Sequence, residues 1–109
     1  MTCYAVEGIK HDVDNVCNQL RFGDYVGGIF NTKIYAFTNA KERSAWVDGN
    51  NEFNRKMCNM VFARRVNKDE AKTWLVRALT GVGNGDADYL NSLGCEDLYE
   101  RYLFVATSF

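Results

Sequence analysis

Two stretches of this chain carry the same folding instructions. Asn39-Ala-Lys-Glu42 follows the β-prone run "KIYAF", and Asn67-Lys-Asp-Glu70 follows "VFARRV". Each is followed by a tryptophan four residues after its glutamate, Trp46 and Trp74. In Asn-x-x-Glu the Asn side chain accepts from the backbone N–H of the third helical residue, while the Glu reaches back to the backbone of the cap. The pattern therefore predicts, twice over, a strand, a reciprocally capped helix and a tryptophan that docks the helix onto a sheet. Good capping chemistry is a sufficient cause for the match. The repeat defines architecture, not chemistry.

The rest of the chain fits a small sheet with helices. "CYAVEGI" (Cys3 to Ile9) alternates as a first strand. His11 or Asp12 then caps a helix in which Val13, Val16, Cys17 and Leu20 form one stripe, ended by Gly23 and Asp24. "YVGGIF" and "KIYAF" flank Asn31-Thr32, which predicts a tight hairpin. Gly49 is read as closing the first repeated helix. A short helix or loop runs on to about Met57, and a strand follows from about Asn59 to Arg65. Ala71, Trp74, Leu75, Ala78 and Leu79 trace an amphipathic face, with Gly81 where a helix end favours glycine. Asp86 caps "ADYLNSL", "CEDLYERY" reads as one or two helical turns, and "LFVATSF" reads as a closing strand. The fold class expected is α+β: one mostly antiparallel sheet of four or five strands, packed on one side by two or three helices. The expected core is Val6, Ile29, Tyr35, Phe37, Trp46, Phe62, Trp74, Leu75 and Leu79.

A chain of 109 residues, 47% hydrophobic and 25% charged, has room for one core, so residues 1–109 are read as a single domain. No apolar run is long enough to span a bilayer, and "MTCYAVEGIKHD" lacks the features of a signal peptide. A cytoplasmic location is expected. The four cysteines are scattered without a Cys-x-x-Cys pair, which points to free thiols and away from structural zinc.

Nothing in the sequence assembles into a reaction centre. The one histidine, His11, has Asp12 beside it and Cys17 six positions on, but the spacing does not require a nucleophile–base pair. Asn84, Asp86 and Asp88 lack the glycine position and the closing Glu of a calcium loop. "GVGNG" is not followed by Lys-Ser/Thr, as a phosphate-binding loop would be. A non-enzyme without metal or cofactor is the expectation. A small-molecule pocket near the Gly81–Asp86 loop, with His11 as its acid–base group, is a minor alternative.

Charge is more informative. The net value is −1, yet residues 55–77 carry seven basic and two acidic side chains, and residues 86–109 one basic and five acidic. Arg64, Arg65, Lys68 and Lys72, with Arg55 and Lys56 as outliers, form a candidate basic stripe for phosphates or an acidic protein. Asp86, Asp88, Glu96 and Asp97 form a weaker candidate acidic surface. Aromatics at 14% add residues suited to interface hot spots.

"CYAVEGI", Cys17-Asn-Gln19-Leu20 with Phe22, and then Phe30, Phe37, Glu42 and Ala45-Trp46-Val47 distantly resemble the N-terminal hybrid-binding domain of ribonuclease H and the related viroplasmin domain. The resemblance covers residues 3–48 and implies a similar plan of small sheet and helix. The family's Gly-Ile-Tyr/Phe strand and the Trp before its cysteine helix are missing, so duplex binding is not implied with it. As a whole the chain is similar in type to small accessory proteins of bacteriophages, which often plug a site on a host enzyme or defence complex. The leading expectation is a non-catalytic inhibitor that binds a host protein. A module binding duplex or hybrid nucleic acid through residues 55–77 is the alternative.

Overall fold

The computed structural model describes residues 2–9, 13, 25–26, 29–30 and 32–107. The expected helix after His11 lies outside these residues apart from Val13, as do His11, Cys17 and the side chain of Ile29. The elements in chain order are β1 (Cys3–Ile9), β2 (Tyr25–Val26), β3 (Ile29–Phe30), β4 (Lys33–Phe37), α1 (Ala40–Lys56), β5 (Val61–Val66), α2 (Lys68–Gly81), α3 (Ala87–Asn91) and α4 (Cys95–Thr107).

The protein is α+β, with a three-stranded antiparallel sheet in the order β4-β1-β5. That is fewer strands than the sequence suggested. Among the described residues β2 and β3 pair with each other, Tyr25 opposite Phe30 and Val26 opposite Ile29. Asn31 lies outside the described residues; among those described, β4 pairs with β1 and not with β3, as the hairpin expected at Asn31-Thr32 would require.

Helices cover both faces of the sheet, not one. Successive side chains of β1 point to opposite faces. Tyr4 and Val6 join Ile34, Val66, Trp74, Leu75, Leu79, Leu98 and Tyr102 in the main core beneath α2 and α4. Ala5 joins Ala63 and Val47 on the other face, with Phe37 and Trp46 packed against them from the edge. The two tryptophans thus dock their helices from opposite sides. Trp74 is fully buried and Trp46 is half-buried against Tyr35 and Phe37, at ring distances of 4.8 and 5.3 Å. Of the expected core, Tyr35 and Phe37 are half-buried, and Phe62 is 41% exposed because it stands near the end of the sheet opposite Gly8.

The caps form as the sequence predicts, but not equally. Asn67 accepts from Glu70 N–H at 2.8 Å, and Asn67 N–H donates back to Glu70 Oε1 at 3.2 Å. At α1 Asn39 accepts from Glu42 N–H at 2.9 Å, and only the α2 cap forms the complete box. One helix end differs from the expectation: α1 passes straight through Gly49 and stops at Lys56, whereas α2 does end at Gly81, and Gly83, at φ 76°, closes the turn beyond it.

The C-terminal segment "LFVATSF", expected as a strand, instead continues α4 up to Thr107. Cys95, Leu98, Tyr99, Tyr102, Val105 and Ala106 recur with helical spacing, so the apolar stripe of "CEDLYERY" runs on without a break. β propensity in Leu-Phe-Val gives way to that packing.

α4 also finishes one margin of the sheet. The Ile34 and Ala36 N–H groups of β4 donate to the hydroxyls of Tyr102 and Tyr99, at 3.4 and 3.2 Å. At the opposite margin, Asn51 of α1 accepts from Ala63 N–H at 2.7 Å and donates to the Ala63 carbonyl at 3.0 Å. Exposed strand margins invite pairing with other chains, and side chains occupy both here.

Candidate functional site

The basic residues do not gather into one stripe. Arg64 and Arg65 are neighbours on a strand, so they leave opposite faces of the sheet. On the α2 face, Arg64 donates to the Val13 carbonyl and pairs with Glu70, both at 3.0 Å. On the α1 face, Arg65 donates to Ser44 Oγ at 3.1 Å and lies 3.5 Å from Asp48. Lys72 donates to the Asn91 carbonyl at 3.0 Å, where a cation complements the C-terminal end of α3. Lys68 is exposed in the first turn of α2.

The acidic candidates are spread along helix starts. Asp86 is the N-cap of α3 and accepts from Tyr89 N–H at 2.8 Å. Asp88 lies in the first turn of α3, and Glu96 and Asp97 in that of α4, where negative charge favours the helix. Local folding accounts for all four positions.

The thiol and hydroxyl chemistry of the core is quenched by burial. Cys95 is buried beside Tyr4, whose hydroxyl is itself buried without a hydrogen bond of standard geometry. Desolvation pushes the Cys95 thiol up, so it stays protonated and is a poor nucleophile. Burial likewise raises Tyr4, Tyr35, Tyr99 and Tyr102. An open depression of about 320 Å³ is lined by Thr2, Ala36, Phe37 and Thr38, with no ionisable side chain among them. Among the described residues, no group of three or more His, Cys, Asp or Glu is placed to hold a metal ion. No described helix is long and apolar enough to cross a membrane.

A different feature stands out at the end of the sheet where α1 stops. Arg43, near the start of α1, donates to the Tyr4 and Val66 carbonyls at 3.5 and 3.3 Å. Further along the helix, Asn50 donates to Glu7 and Asn51 pairs with Ala63. The last turn of α1 therefore arrives beside the Ile9–Val61 pair, where β1 ends and β5 begins. There Phe53 and Met57 are each 60% exposed, Met60 is 79% and Ile9 51%. An asparagine ladder supports this end. Asn54, itself buried, donates to Asn50 Oδ1 at 2.7 Å and accepts from Asn59 at 3.0 Å.

The turn that presents these residues has an unusual closure. Cys58 N–H donates to the Arg55 carbonyl and Asn59 N–H to the Asn54 carbonyl, at 3.2 and 2.9 Å. This is a Schellman closure, which places its C′ residue in the left-handed region normally taken by glycine. Here that residue is Cys58, exposed and at φ 56°. Arg55 and Lys56 flank the turn, paired with Glu52 at 2.9 and 3.5 Å. Nothing in the sequence marks Phe53, Met57 and Met60 as exposed, because that depends on where α1 stops relative to the sheet.

A scan against protein-family models, a search of curated proteins and a search of solved structures each returned no match.

Proposed function

We propose that this protein is a non-catalytic binding module that holds another protein against the apolar end formed by Ile9, Phe53, Met57 and Met60. One observation carries the reading: four large apolar side chains, between 51 and 79% exposed, come from segments that meet where α1 stops beside the Ile9–Val61 pair. Large apolar groups brought together on a surface mark interaction sites, and methionine adapts to irregular partners. Inhibition of a host protein by a small phage-type accessory protein is the biological form we assign to this docking.

The nucleic-acid reading has less support, since Arg64 and Arg65 diverge and both have acidic partners. The test compares wild type with Met60→Lys and Phe53→Glu as bait for host proteins, with bound proteins identified by mass spectrometry. The reading expects a defined partner lost with either substitution. Capture unaffected by both, or strongly salt-dependent binding to duplex or hybrid oligonucleotides alone, would overturn it.

A further inference from the structure

We infer that Asn84-Gly85, in the turn between α2 and α3, is a modification site at which the chain converts its own asparagine to aspartate and isoaspartate. In this reaction the backbone nitrogen of the following residue attacks the carbonyl carbon of the asparagine side chain. A following residue without a side chain hinders that approach least, and Asn84 is the one asparagine in the sequence followed by glycine. The fold holds glycine in that place. Gly85 lies at φ 135°, and a Cβ on it would stand 3.3 Å from Cγ of the fully buried Leu90. The backbone bonds of the turn come from Gly83 and Asn84, whose N–H groups donate to the Thr80 and Leu79 carbonyls at 3.1 and 2.9 Å. Gly85 N–H has no partner among the described residues, and Gly85 is exposed, so solvent base reaches it.

Arg101 orients the amide. Its Nη1 donates to Asn84 Oδ1 at 3.2 Å, while Nη2 donates to the Tyr89 hydroxyl at 2.7 Å and the guanidinium lies 5.2 Å from the centre of the Tyr89 ring. A guanidinium only donates, so the amide oxygen faces it and Nδ2 is left outside the contact. As the deprotonated Gly85 nitrogen bonds to Asn84 Cγ, negative charge collects on the oxygen beside Arg101. The Cγ–Nδ2 bond then breaks, and Nδ2 takes a proton from solvent and leaves as ammonia. Water opens the resulting five-membered imide at either carbonyl, which gives aspartate or isoaspartate. Each product adds one negative charge to a chain of net charge −1. Aspartate stays opposite Arg101 and makes that hydrogen bond charge-assisted. Isoaspartate inserts a methylene into the main chain two residues ahead of Asp86, the cap of α3.

The test ages the full chain at physiological temperature, at neutral and at mildly alkaline pH. Tryptic digestion then releases Ala78–Arg101, which also carries Asn91, followed by serine, as an internal control. Tandem mass spectrometry should place the mass gain of amide-to-acid exchange at Asn84 well ahead of Asn91, and sooner at the higher pH. Isoaspartyl methyltransferase should label the aged protein, and ion exchange should show a shift to the acidic side. Both signals should be lost in Asn84→Gln, which keeps an amide but would have to close a larger ring; circular dichroism should confirm that this variant is folded. In double-mutant cycles with Arg101→Ala, aspartate at position 84 should couple to Arg101 more strongly than asparagine does. An Asn84 that keeps its amide as long as Asn91 does, or an acidic shift at the same rate in Asn84→Gln, overturns the inference. Equal coupling of the two residues overturns the place given to Arg101.

Discussion

Cys58 occupies at the end of α1 the same closing position that Gly83 occupies at the end of α2, with φ 56° against 76°. In both, the residue and its successor complete the paired backbone hydrogen bonds of the helix end. A side chain in this region costs energy that glycine does not, although glycine loses more entropy on folding. Cys58→Gly is therefore expected to stabilise the protein by about 0.5–1 kcal/mol. A Cβ at Gly83 would meet nothing within 4 Å, so Gly83→Ala should cost about 1 kcal/mol through backbone strain alone. Urea denaturation of both variants checks the opposite signs.

The two asparagine caps predict unequal losses. Asn67→Ala removes both bonds of a complete box and should cost about 1–2 kcal/mol, while Asn39→Ala removes one and should cost about 0.5–1 kcal/mol. Equilibrium unfolding of the two variants measures the difference. Equal losses would mean that the return bond from Glu70 contributes nothing.

Asn51 satisfies both backbone groups of Ala63 from the side of α1. Asn51→Ala should destabilise by about 1–3 kcal/mol, because a donor and an acceptor lose their partners together. Asn51→Asp keeps the acceptor for Ala63 N–H but sets a carboxylate against the Ala63 carbonyl, so it should not restore stability at neutral pH. Thermal unfolding at pH 7 ranks the three proteins.

Stability should fall on the alkaline side. Burial holds Tyr4 and Tyr102 above the usual tyrosine value of about 10, and Cys95 is raised as well. Once the pH passes the unfolded-state values, the unfolded chain releases protons that the folded chain keeps. The stability present below those values is then lost, by up to about 1.4 kcal/mol per pH unit for each such group. Chemical denaturation between pH 7 and 11 should show the decline beginning near pH 9–10. Tyr102→Phe should flatten its slope while lowering stability at neutral pH, because Ile34 N–H loses its acceptor.

What the sequence revealed depended on whether a signal was local. Asn39, Asn67 and Asp86 act within a few residues of themselves, and their caps were readable by position alone. The stripe of α2 was readable because Ala71, Trp74, Leu75, Ala78 and Leu79 face one partner. The continuation of α4 was obscured by the β propensity of Leu103-Phe104-Val105, although Tyr102 and Ala106 already carried the helical period. The division of Arg64 from Arg65 follows from strand alternation, but a count of charges along the chain conceals it. The apolar end was not readable, because Phe53, Met57 and Met60 are set apart from core residues only by where α1 stops relative to the sheet. Gly49 misled for a related reason: a glycine within a helical run ends the helix only when the backbone there leaves the helical region, and α1 continues through it to Lys56.

The tyrosine hydroxyls on Ile34 and Ala36 have a consequence for how this molecule meets others. A visiting peptide that sought those two amides would have to dislodge Tyr99 and Tyr102, and with them the helix that seals the main core. Annexation along that margin and the folded state are mutually exclusive there, which leaves recognition to side chains standing elsewhere on the surface.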